Sequence, residues 1–428
     1  MESKKVVVVG QGYVGLPLAM LAVEKGHHVV GYDVDRHRVE SLQKGISFVE
    51  DISDAEVAAA IAAGRYEASY EAESLADFDV IVITVPTPLR ESLPDLTFIE
   101  AAGETLAPYL RPGATVVLES TTYPGTTEDL LGGLLDEATG MTAGVDYHLG
   151  YSPERIDPGN PRYGLRNTAK VVSGVNPESL RHVQSFYDSV LDPDEHGDPR
   201  TVAVSTPKEA ELAKLLENTF RHVNIALVNE LAMFGHDLGI NVWESIDAAA
   251  TKPFGFMKFT PGPGVGGHCL PIDPSYLSWQ VRRSLGRTFR FVELANDINE
   301  HMPDYVTDRV IAALNRKGLA VNGARILLLG LTYKANTSDA RESPAIAVAE
   351  RLLAMGADLY AADPHVSEAH RLDPFIKLVD LTDNEVEKAD AVVLLTDHAA
   401  FDLDHIAGLT DLFLDTRNKA NGSSVDRL

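Results

Sequence analysis

Cysteine is nearly absent from this chain, with Cys269 alone among 428 residues. One thiol cannot form an intramolecular disulfide or a cysteine-based metal cluster, which favours a reducing compartment. Positive charge is also scarce, because 37 Lys and Arg stand against 63 Asp and Glu and leave a formal charge of -26. Such a surface repels phosphate backbones and anionic lipid headgroups, so the sequence predicts no nucleic-acid partner.

Long apolar runs are missing as well. No run approaches the ~20 residues that cross a bilayer, and the sequence MESKKVVVVGQGYVG at residues 1–15 lacks the longer apolar core of a signal peptide. We therefore expect a cytoplasmic protein without a membrane partner. The composition, with 45% apolar and 23% charged residues, is that of a globular protein.

Short apolar runs alternate with helical patterns over the first 150 residues. They read VVVVG at 6–10, HVVGYD at 28–33, DVIVITVP at 79–86, TVVLEST at 115–121 and YHLGYSPE at 147–154. This alternation predicts βαβ units and a parallel sheet. Two further runs, KVVSG from 170 and TVAVS from 201, predict an extension of the same sheet, and we place the end of the first domain at residue 205.

One long helix is predicted next. Thr206, Pro207 and Glu209 supply an N-cap, a first-turn proline and the acid of a capping box. Helical periodicity then continues to about Gly239, which corresponds to roughly 50 Å at 1.5 Å per residue. A helix of this length indicates a surface shared between subunits, so we expect a homodimer or a higher homo-oligomer.

A second alternation of apolar runs begins with ARILLLG at residues 324–330. The predicted fold is therefore α/β, with two Rossmann-like doubly wound domains joined by a central helical region that contains one long helix. The predicted domains cover residues 1–205, 206–318 and 319–428.

The spacing GxGxxG occurs at Gly10, Gly12 and Gly15, after a predicted strand and before a predicted helix, and Asp33 ends the next strand. The first glycine permits the tight turn, the second lets the backbone approach a pyrophosphate, and the third lets helix and strand pack closely. The carboxylate accepts from ribose hydroxyls and repels a 2′-phosphate, so the pattern predicts NAD rather than NADP. A turn without a ligand would explain the glycines but not Asp33.

Several polar residues have spacings that suit catalysis. Cys269, in PGPGVGGHCLPIDP, could attack a carbonyl and hold an aldehyde as a thiohemiacetal that gives up hydride, although a lone cysteine is more often a small buried apolar residue. Lys214 and Asn218 lie one helical turn apart, with His222 on the same row, and could stabilise an oxyanion; a solvated polar stripe has the same spacing. Glu154 follows the fifth strand, where open sheets bind ligands.

Taken together, these motifs resemble the nucleotide-sugar 6-dehydrogenases, the family of UDP-glucose, UDP-N-acetylglucosamine and UDP-N-acetylmannosamine dehydrogenases. The resemblance covers nearly the whole chain. It rests on GQGYVGLPLA at 10–19, VPTPL at 85–89, ESTTYPGTT at 119–127, SPER at 152–155, ELAKLLENTFRHVNIALVNE at 211–230, GVGGHCLPIDP at 264–274 and GLTYKANTSDARESPA at 330–345.

The resemblance implies that a sugar C6 alcohol is oxidised twice, with two NAD reduced and a carboxylate formed. Cys269 would be the nucleophile that carries the aldehyde and then a thioester, which water releases. The other implied catalytic residues are Lys214 and Asn218 for the oxyanions, Glu154 and Thr121 for the water, and Asp273 for proton transfer.

The resemblance also implies binding residues, and it implies no metal. For the cofactor they are Gly10, Gly12, Tyr13, Val14, Gly15, Asp33, Thr87, Thr121 and Arg341. For the nucleotide sugar they are Glu154, Arg155, Lys214, Asn218, Lys258, Gly266 and Lys334.

One motif bears on the substrate. Where UDP-glucose enzymes resemble G-G-S-C-x-P-K-D, this chain reads GGHCLPID, with His268 and Ile272 at the differing positions. That pattern is similar to the UDP-N-acetylhexosamine branch, and most of all to UDP-N-acetylglucosamine enzymes. UDP-glucose or dTDP-glucose is the alternative substrate. A two-electron NAD-dependent alcohol or hydroxy-acid dehydrogenase and a non-catalytic dinucleotide-binding protein are the other classes considered.

Overall fold

The computed structural model describes residues 3–49, 51–90, 93–156, 162–267, 270–340, 342–367 and 374–428. The chain divides into two compact units, Met1–Glu217 (unit 1) and Asn218–Leu428 (unit 2). The helices of the described ranges include none that is both long enough and apolar enough to cross a membrane.

Unit 1 is built on a six-stranded parallel sheet. The strands of unit 1, inside and outside this sheet, are β1 Lys5–Val9, β2 His28–Tyr32, β3 Tyr66–Ser69, β4 Val80–Ile83, β5 Leu89–Arg90, β6 Leu93–Pro94, β7 Thr115–Leu118, β8 His148–Tyr151, β9 Lys170–Val172 and β10 Thr201–Ala203. The main sheet has the order β3-β2-β1-β4-β7-β8, while β5 and β6 form a small antiparallel pair. Strands β4 and β7 are buried along their whole length, as expected for a sheet covered on both faces.

Helices cover the sheet and connect its strands. They are α1 Gly15–Glu24, α2 Arg36–Gln43, α3 Asp54–Ala62, α4 Thr97–Leu106, α5 Gly133–Thr139, α6 Pro177–Val190 and α7 Pro207–Leu238, of which the last continues into unit 2. Short 3-10 turns occur at Ala72–Leu75 and Ala107–Tyr109, and a π-helical segment at Thr126–Gly132 leads into α5.

The expectation that the runs at 170 and 201 extend the main sheet is wrong. Strands β9 and β10 pair with each other in a separate two-stranded sheet. The chain directly after β9 does approach β8, since Ser173 N donates to Tyr151 O at 3.0 Å. Each strand has only three residues, so β9 ends before a ladder with β8 can form.

The predicted long helix is confirmed as α7, which has 32 residues. Before its first turn the hydroxyl of Thr206 donates to the carboxylate of Glu209. The helix ends where Gly239 takes a left-handed conformation, with φ of 69°.

Unit 2 contains a second parallel sheet with the same topology. Its strands are β11 Arg325–Leu329, β12 Asp358–Ala362, β13 Lys377–Leu378, β14 Ala391–Leu394, β15 Phe413–Asp415 and β16 Val425–Arg427. Its further helices are α8 Val242–Ala250, α9 Asp273–Leu285, α10 Arg290–Arg316, α11 Pro344–Ala354, α12 Asp383–Glu387 and α13 Leu403–Leu409. The order β13-β12-β11-β14-β15-β16 repeats that of unit 1. The predicted α/β class with two Rossmann-like sheets is confirmed, while the three domain boundaries stay a prediction.

Glu211 of α7 fixes the loop after β7. Its buried carboxylate accepts from Gly125 N at 2.6 Å, Thr127 N at 2.9 Å and Thr127 Oγ1 at 2.6 Å. Burial raises the pKa of Glu211 to about 7, although these donors act in the opposite direction. The loop that carries the predicted Thr121 is therefore held by a carboxyl group that titrates near neutral pH.

Glu211→Gln tests this buried carboxyl. Because its pKa rises from 4.5 to about 7 on folding, its contribution to stability is complete below pH 4.5 and is lost as the pH rises through 7. Glutamine has no such dependence. We expect the free energy of unfolding of the variant, relative to the parent, to rise by about 3 kcal/mol between the two ends of this window, measured by urea denaturation. Asp237→Asn, at an exposed acid of the same helix, is the control, and a pH-independent difference for Glu211→Gln would contradict the assignment.

Candidate active site

The glycine-rich turn joins β1 to α1 in unit 1. Gly10 has φ of 90°, and a Cβ atom on Gly15 would lie 1.8 Å from Gly10 O, so both positions require glycine. A Cβ atom on Gly12 would meet no atom within 4 Å. Gly12 therefore faces open space at the start of α1, where a pyrophosphate can approach the backbone and the helix N-terminus.

Asp33 follows β2 beside this turn. Its carboxylate accepts from Gln11 N at 2.7 Å, Asp35 N at 2.9 Å and Arg38 Nη1 at 2.9 Å. Because an ionised carboxylate offers about four lone-pair sites, it can still accept from a ribose hydroxyl. The turn and the acid together fit the adenosine side of NAD, which would supply a hydride acceptor when bound.

Thr84 is a member of this turn that the motif did not predict. Its hydroxyl lies 2.9 Å from Val9 O and 2.8 Å from Gly10 O, and donates toward these carbonyls. A Cβ atom on Gly15 would lie 2.5 Å from Thr84 Oγ1. A threonine after the fourth strand has no sequence signal of its own, because its role depends on β4 pairing with β1.

The other predicted cofactor residues follow the same sheet edge. Tyr13 is exposed and Val14 precedes α1, while Thr87 and Thr121 are half-buried in the segments after β4 and β7. Arg341 lies outside the described residues. The cofactor contacts of all five residues stay predictions.

Glu154 belongs to a buried ionic cluster. Its Oε1 accepts from Arg155 N at 2.5 Å and Ile156 N at 2.6 Å, and its Oε2 accepts from Lys170 Nζ at 3.0 Å. The Lys170 ammonium also pairs with Glu119 Oε1, and Tyr187 Oη donates to Glu119 Oε2 at 2.5 Å. Lys170 and Tyr187 were not predicted from the sequence, because they lie 51 and 68 residues from Glu119 and belong to no quoted motif. Glu119 begins the motif ESTTYPGTT but was given no function.

Two further predicted residues of unit 1 differ in their environment. The guanidinium of Arg155 is held by Glu217, with Nη2 to Oε1 at 2.8 Å, and by Ala169 O at 2.7 Å. Lys214 is only 9% exposed, and within the described ranges its ammonium has neither an ion pair nor a hydrogen bond. The side chain of Lys214 is thus largely covered while its ammonium stays unpaired among the described residues, so Lys214 is a candidate for a group that meets an anionic ligand atom.

In unit 2 the structure brings Asn218 and Asp273 together. Asn218 Nδ2 donates to Asp273 Oδ2 at 2.5 Å, and both residues are buried. Asp273 is the first residue of α9, so its carboxylate also lies at a helix N-terminus. His222 continues the row of α7 but contacts α10 instead, with Nε2 2.7 Å from Asn296 Oδ1. Burial lowers the pKa of His222.

Gly266 lies against the loop after β11. A Cβ atom there would lie 2.6 Å from Glu342 O and 2.9 Å from Tyr333 Cβ, so a larger residue would displace this loop. The neighbouring Lys334 offers its carbonyl to the hydroxyls of Thr332 and Thr337, at 2.9 Å and 3.0 Å. The structure therefore places Gly266 and the Lys334 loop side by side.

Lys258 contacts a different part of the described chain. Lys258 is exposed and forms an ion pair with Asp247 of α8. Cys269, the predicted nucleophile, lies outside the described residues, as does His268. Nowhere in the part of the chain that is described do three or more His, Cys, Asp or Glu side chains form a group that could hold a metal ion.

The edge of the second sheet has a buried pair that the sequence did not indicate. Asp363 accepts from Leu331 N at 2.6 Å and from His365 N at 2.8 Å, and His398 Nε2 lies 3.0 Å from Asp363 Oδ2. Burial alone would raise the pKa of Asp363, but these partners hold it below its ordinary value. His398 Nδ1 in turn accepts from Asn336 N at 3.0 Å, which fixes the Lys334 loop.

Gly12→Ala and Gly15→Ala separate the two functions of the turn. We expect Gly15→Ala to destabilise the protein by about 1–3 kcal/mol, because its Cβ atom collides with Gly10 O. Gly12→Ala should leave the melting temperature nearly unchanged but weaken NAD binding by about tenfold or more, because its Cβ atom occupies the pyrophosphate approach. Thermal unfolding and NAD titration check both. Unchanged NAD affinity in Gly12→Ala would contradict this site.

Three family models match the chain. The NAD binding domain of the UDP-glucose/GDP-mannose dehydrogenase family matches residues 4–191, the central domain of that family matches 208–301, and its UDP binding domain matches 327–421. The three matches follow one another along most of the chain. The predicted cofactor, NAD, is thereby confirmed.

Relatives and solved structures agree with these models. The UDP-N-acetyl-D-mannosamine dehydrogenase of Pyrococcus horikoshii is 35% identical over 398 residues, covering 93% of this chain and 90% of the relative. The UDP-N-acetyl-D-glucosamine 6-dehydrogenase of Pseudomonas aeruginosa is 37% identical over 368 residues, covering 86% and 84%. The solved UDP-D-ManNAc dehydrogenase of Pyrococcus horikoshii has a TM-score of 0.88 at 33% identity, covering 99% and 98%. The chain therefore belongs to the UDP-glucose/GDP-mannose dehydrogenase family, within its UDP-N-acetylhexosamine branch, and is an NAD-dependent oxidoreductase that acts on a nucleotide sugar.

Proposed function

We propose that the protein is a nucleotide-sugar 6-dehydrogenase that oxidises the C6 alcohol of UDP-N-acetylglucosamine to the uronic acid. The oxidation takes two steps, each of which transfers one hydride to NAD, and it removes four electrons in total. The protein acts in the cytoplasm. The observation that carries the proposal is the buried Asn218–Asp273 pair. Asp273 follows Cys269 by four residues in the sequence.

The substrate is inferred from the motif around Cys269 and from the relatives. GGHCLPID departs from the pattern of UDP-glucose enzymes, and the Pseudomonas aeruginosa relative, 37% identical, is named for UDP-N-acetyl-D-glucosamine. UDP-N-acetylmannosamine is a second candidate, because the Pyrococcus horikoshii relative has that name and a TM-score of 0.88. UDP-glucose and dTDP-glucose rank below both.

Cys269 forms the covalent intermediate in this proposal. Its thiol adds to the C6 aldehyde and gives a thiohemiacetal, and loss of a second hydride converts this to a thioester. Asp273, held by the Asn218 amide, accepts or returns the proton exchanged when sulfur adds. The amide of Asn218 and the ammonium of Lys214 stabilise the oxygen that becomes negative. The support for Lys214 is its ammonium, which has no ion pair or hydrogen bond within the described ranges.

Glu154 and Thr121 handle the water that ends the reaction. Water attacks the thioester carbonyl, the C–S bond breaks, and the thiolate of Cys269 leaves as the uronic acid forms. Glu154 takes a proton from this water, and the half-buried Thr121 orients it. The support for this role is the lowered pKa of Glu154: burial alone would raise this pKa, but Lys170 and hydrogen bonds outweigh burial, so the carboxylate is ready to accept a proton at neutral pH.

The remaining predicted residues are assigned to binding. We assign Arg155, Lys258, Gly266 and Lys334 to the nucleotide sugar, and Arg341 with Tyr13, Val14 and Thr87 to NAD. Residues 1–205 form the NAD domain, 206–318 the central domain and 319–428 the domain that holds the nucleotide. The family model for UDP binding, at 327–421, supports the last assignment.

An apolar face on α7 supports a homodimer. Leu227, Leu231, Phe234 and Leu238 are exposed, and they lie at the i, i+4, i+7 and i+11 positions of one helix face. Exposed apolar residues in such a row are typical of a surface that a second copy covers. The proposal is therefore a dimer, or a larger assembly of dimers, formed through this face.

The number of NADH formed per sugar tests the reaction. We expect two NADH for each UDP-N-acetylglucosamine consumed, measured at 340 nm against the acid product, and little turnover of UDP-glucose or dTDP-glucose. UDP-N-acetylmannosamine in the same assay decides between the two acetylated substrates. Cys269→Ser should form no acid. One NADH per sugar, with Cys269→Ser fully active, would instead establish a simple alcohol dehydrogenase.

Leu231→Glu tests the dimer. A carboxylate in the middle of the apolar face should lower the mass measured by light scattering to that of a smaller assembly. Glu230→Gln, at the neighbouring position of the helix, is the control and should leave the mass unchanged. An unaltered assembly in Leu231→Glu would place the subunit contact elsewhere.

A further inference from the structure

Two carboxylates of unit 1 share one buried lysine. Lys170, at the start of β9, is 3% exposed and pairs with Glu119, which is 0% exposed, and with Glu154, which is 12% exposed. Glu119 follows β7 and Glu154 follows β8, so the parallel sheet brings both acids to the same edge. Only Glu154 reaches the surface of this cluster.

The contacts give the two acids different functions. Glu154 receives two backbone N–H groups on Oε1 and the ammonium on Oε2, all of which favour a charged carboxylate. Glu119 receives the ammonium and the phenol of Tyr187, and it lies fully buried behind the pair. Burial raises the pKa of Glu119 to about 7, although Lys170 acts in the opposite direction. Neighbouring acids with divergent pKa values are typical of acid–base sites.

Among the described residues, few charged or titratable side chains face Glu154. The charged and titratable residues that face Glu154 are Glu119 from the end of β7, Lys170 from β9 and Tyr187 from α6. Burial lowers the pKa of Lys170, but the two carboxylates outweigh this effect and raise it, so the ammonium keeps its charge. Burial also raises the pKa of Tyr187, which therefore remains a neutral donor. Arg155, the next residue along the chain, has its guanidinium on Glu217.

We propose that Lys170 and Glu119 are positioning residues for Glu154, which they hold as an ionised carboxylate in one orientation so that it can accept a proton from the hydrolytic water. This inference rests on the proposed function, in which Glu154 activates that water. Lys170 stabilises the negative charge and fixes Oε2. Glu119 binds the second side of the ammonium and, as the inner acid of the pair, takes up the proton that would otherwise neutralise Glu154.

Substitutions at the two positions should have different effects on the pH dependence. Lys170→Met removes the positive charge, so the pKa of Glu154 rises and the acid limb of the kcat profile for acid formation moves to higher pH by about one unit or more. Glu119 is already protonated below its pKa of about 7, so Glu119→Gln, which puts a neutral side chain of the same shape there, should leave the acid limb in place. Lys170→Arg keeps the charge and should restore most of the parental profile.

The second readout is the covalent intermediate. With UDP-N-acetylglucosamine and NAD in a single turnover at a pH on the shifted acid limb, Lys170→Met should accumulate sugar on the protein, detected by mass spectrometry after acid quench, because hydrolysis slows while the earlier steps continue. The KM for NAD should stay within about twofold of the parental value, since a twofold change is only ~0.4 kcal/mol. The double variant Lys170→Met/Glu119→Gln removes the unpaired buried acid and replaces Lys170→Met if that variant does not fold.

The outcomes distinguish two failures. If the parent enzyme forms one NADH per sugar, or no covalent sugar under any condition, the proposed function fails and the cluster has no water to activate. If the parent forms two NADH per sugar, but folded Lys170→Met or the double variant keeps the parental acid limb and accumulates no intermediate, then this inference alone is overturned. A shifted acid limb in Lys170→Met, an unshifted one in Glu119→Gln and recovery in Lys170→Arg support it.

Discussion

The parallel pairing of the sheet in unit 1 is the constraint on which the candidate site depends. Every strand pair in that sheet is parallel, so all its carboxyl ends lie at one edge. Four functional groups follow four different strands there: the glycine turn, Asp33, Glu119 and Glu154. Their proximity is therefore a consequence of topology. Once the sheet has formed, no further loss of chain entropy is needed to bring these groups together, although they lie far apart in the sequence.

The two sheets show that a repeated topology does not fix what is bound. Asp33 and Asp363 both follow the second strand of a sheet with the same order, and both accept from the backbone N–H after the glycine turn. The side-chain partner differs. Asp33 has Arg38, which is partly exposed, whereas Asp363 has the fully buried His398. The carboxylate of Asp363 is thus bound by a buried side chain of the protein itself. This agrees with the different ligands of the two matched family models, NAD for the first sheet and UDP for the second.

Local patterns predicted the elements that depend on local forces. The apolar runs around β1, β2 and β4, the glycine turn and the capped α7 each follow from periodicity and turn chemistry, and all are present. Strand β3 was missed because Tyr66–Ser69 is short and carries a charged residue. The β9–β10 pairing was assigned to the wrong sheet, since periodicity identifies a strand but not its neighbour.

Within the site, the same distinction holds. Asn218 and Asp273 were named by the family resemblance but not their contact, and of the Lys170 cluster only Glu154 was predicted. Lys170 stands in a run that reads as an ordinary strand, and a lysine at a strand end is usually solvated. Only the fold shows that Glu119 and Glu154 converge on it. The role of Cys269 rests on its motif and on the chemistry around Asp273.

The sharing of one buried lysine by two acids also restricts how this protein can evolve. Loss of Lys170 alone leaves two carboxyl groups facing each other without a counter-charge, and loss of either acid changes the charge on the other. A substitution at position 119, 154 or 170 therefore changes the charge balance of the whole cluster. We expect a tolerated change at one of these positions to be accompanied by a compensating change at another. Substitutions at these three positions depend on one another, even though the positions lie far apart in the sequence.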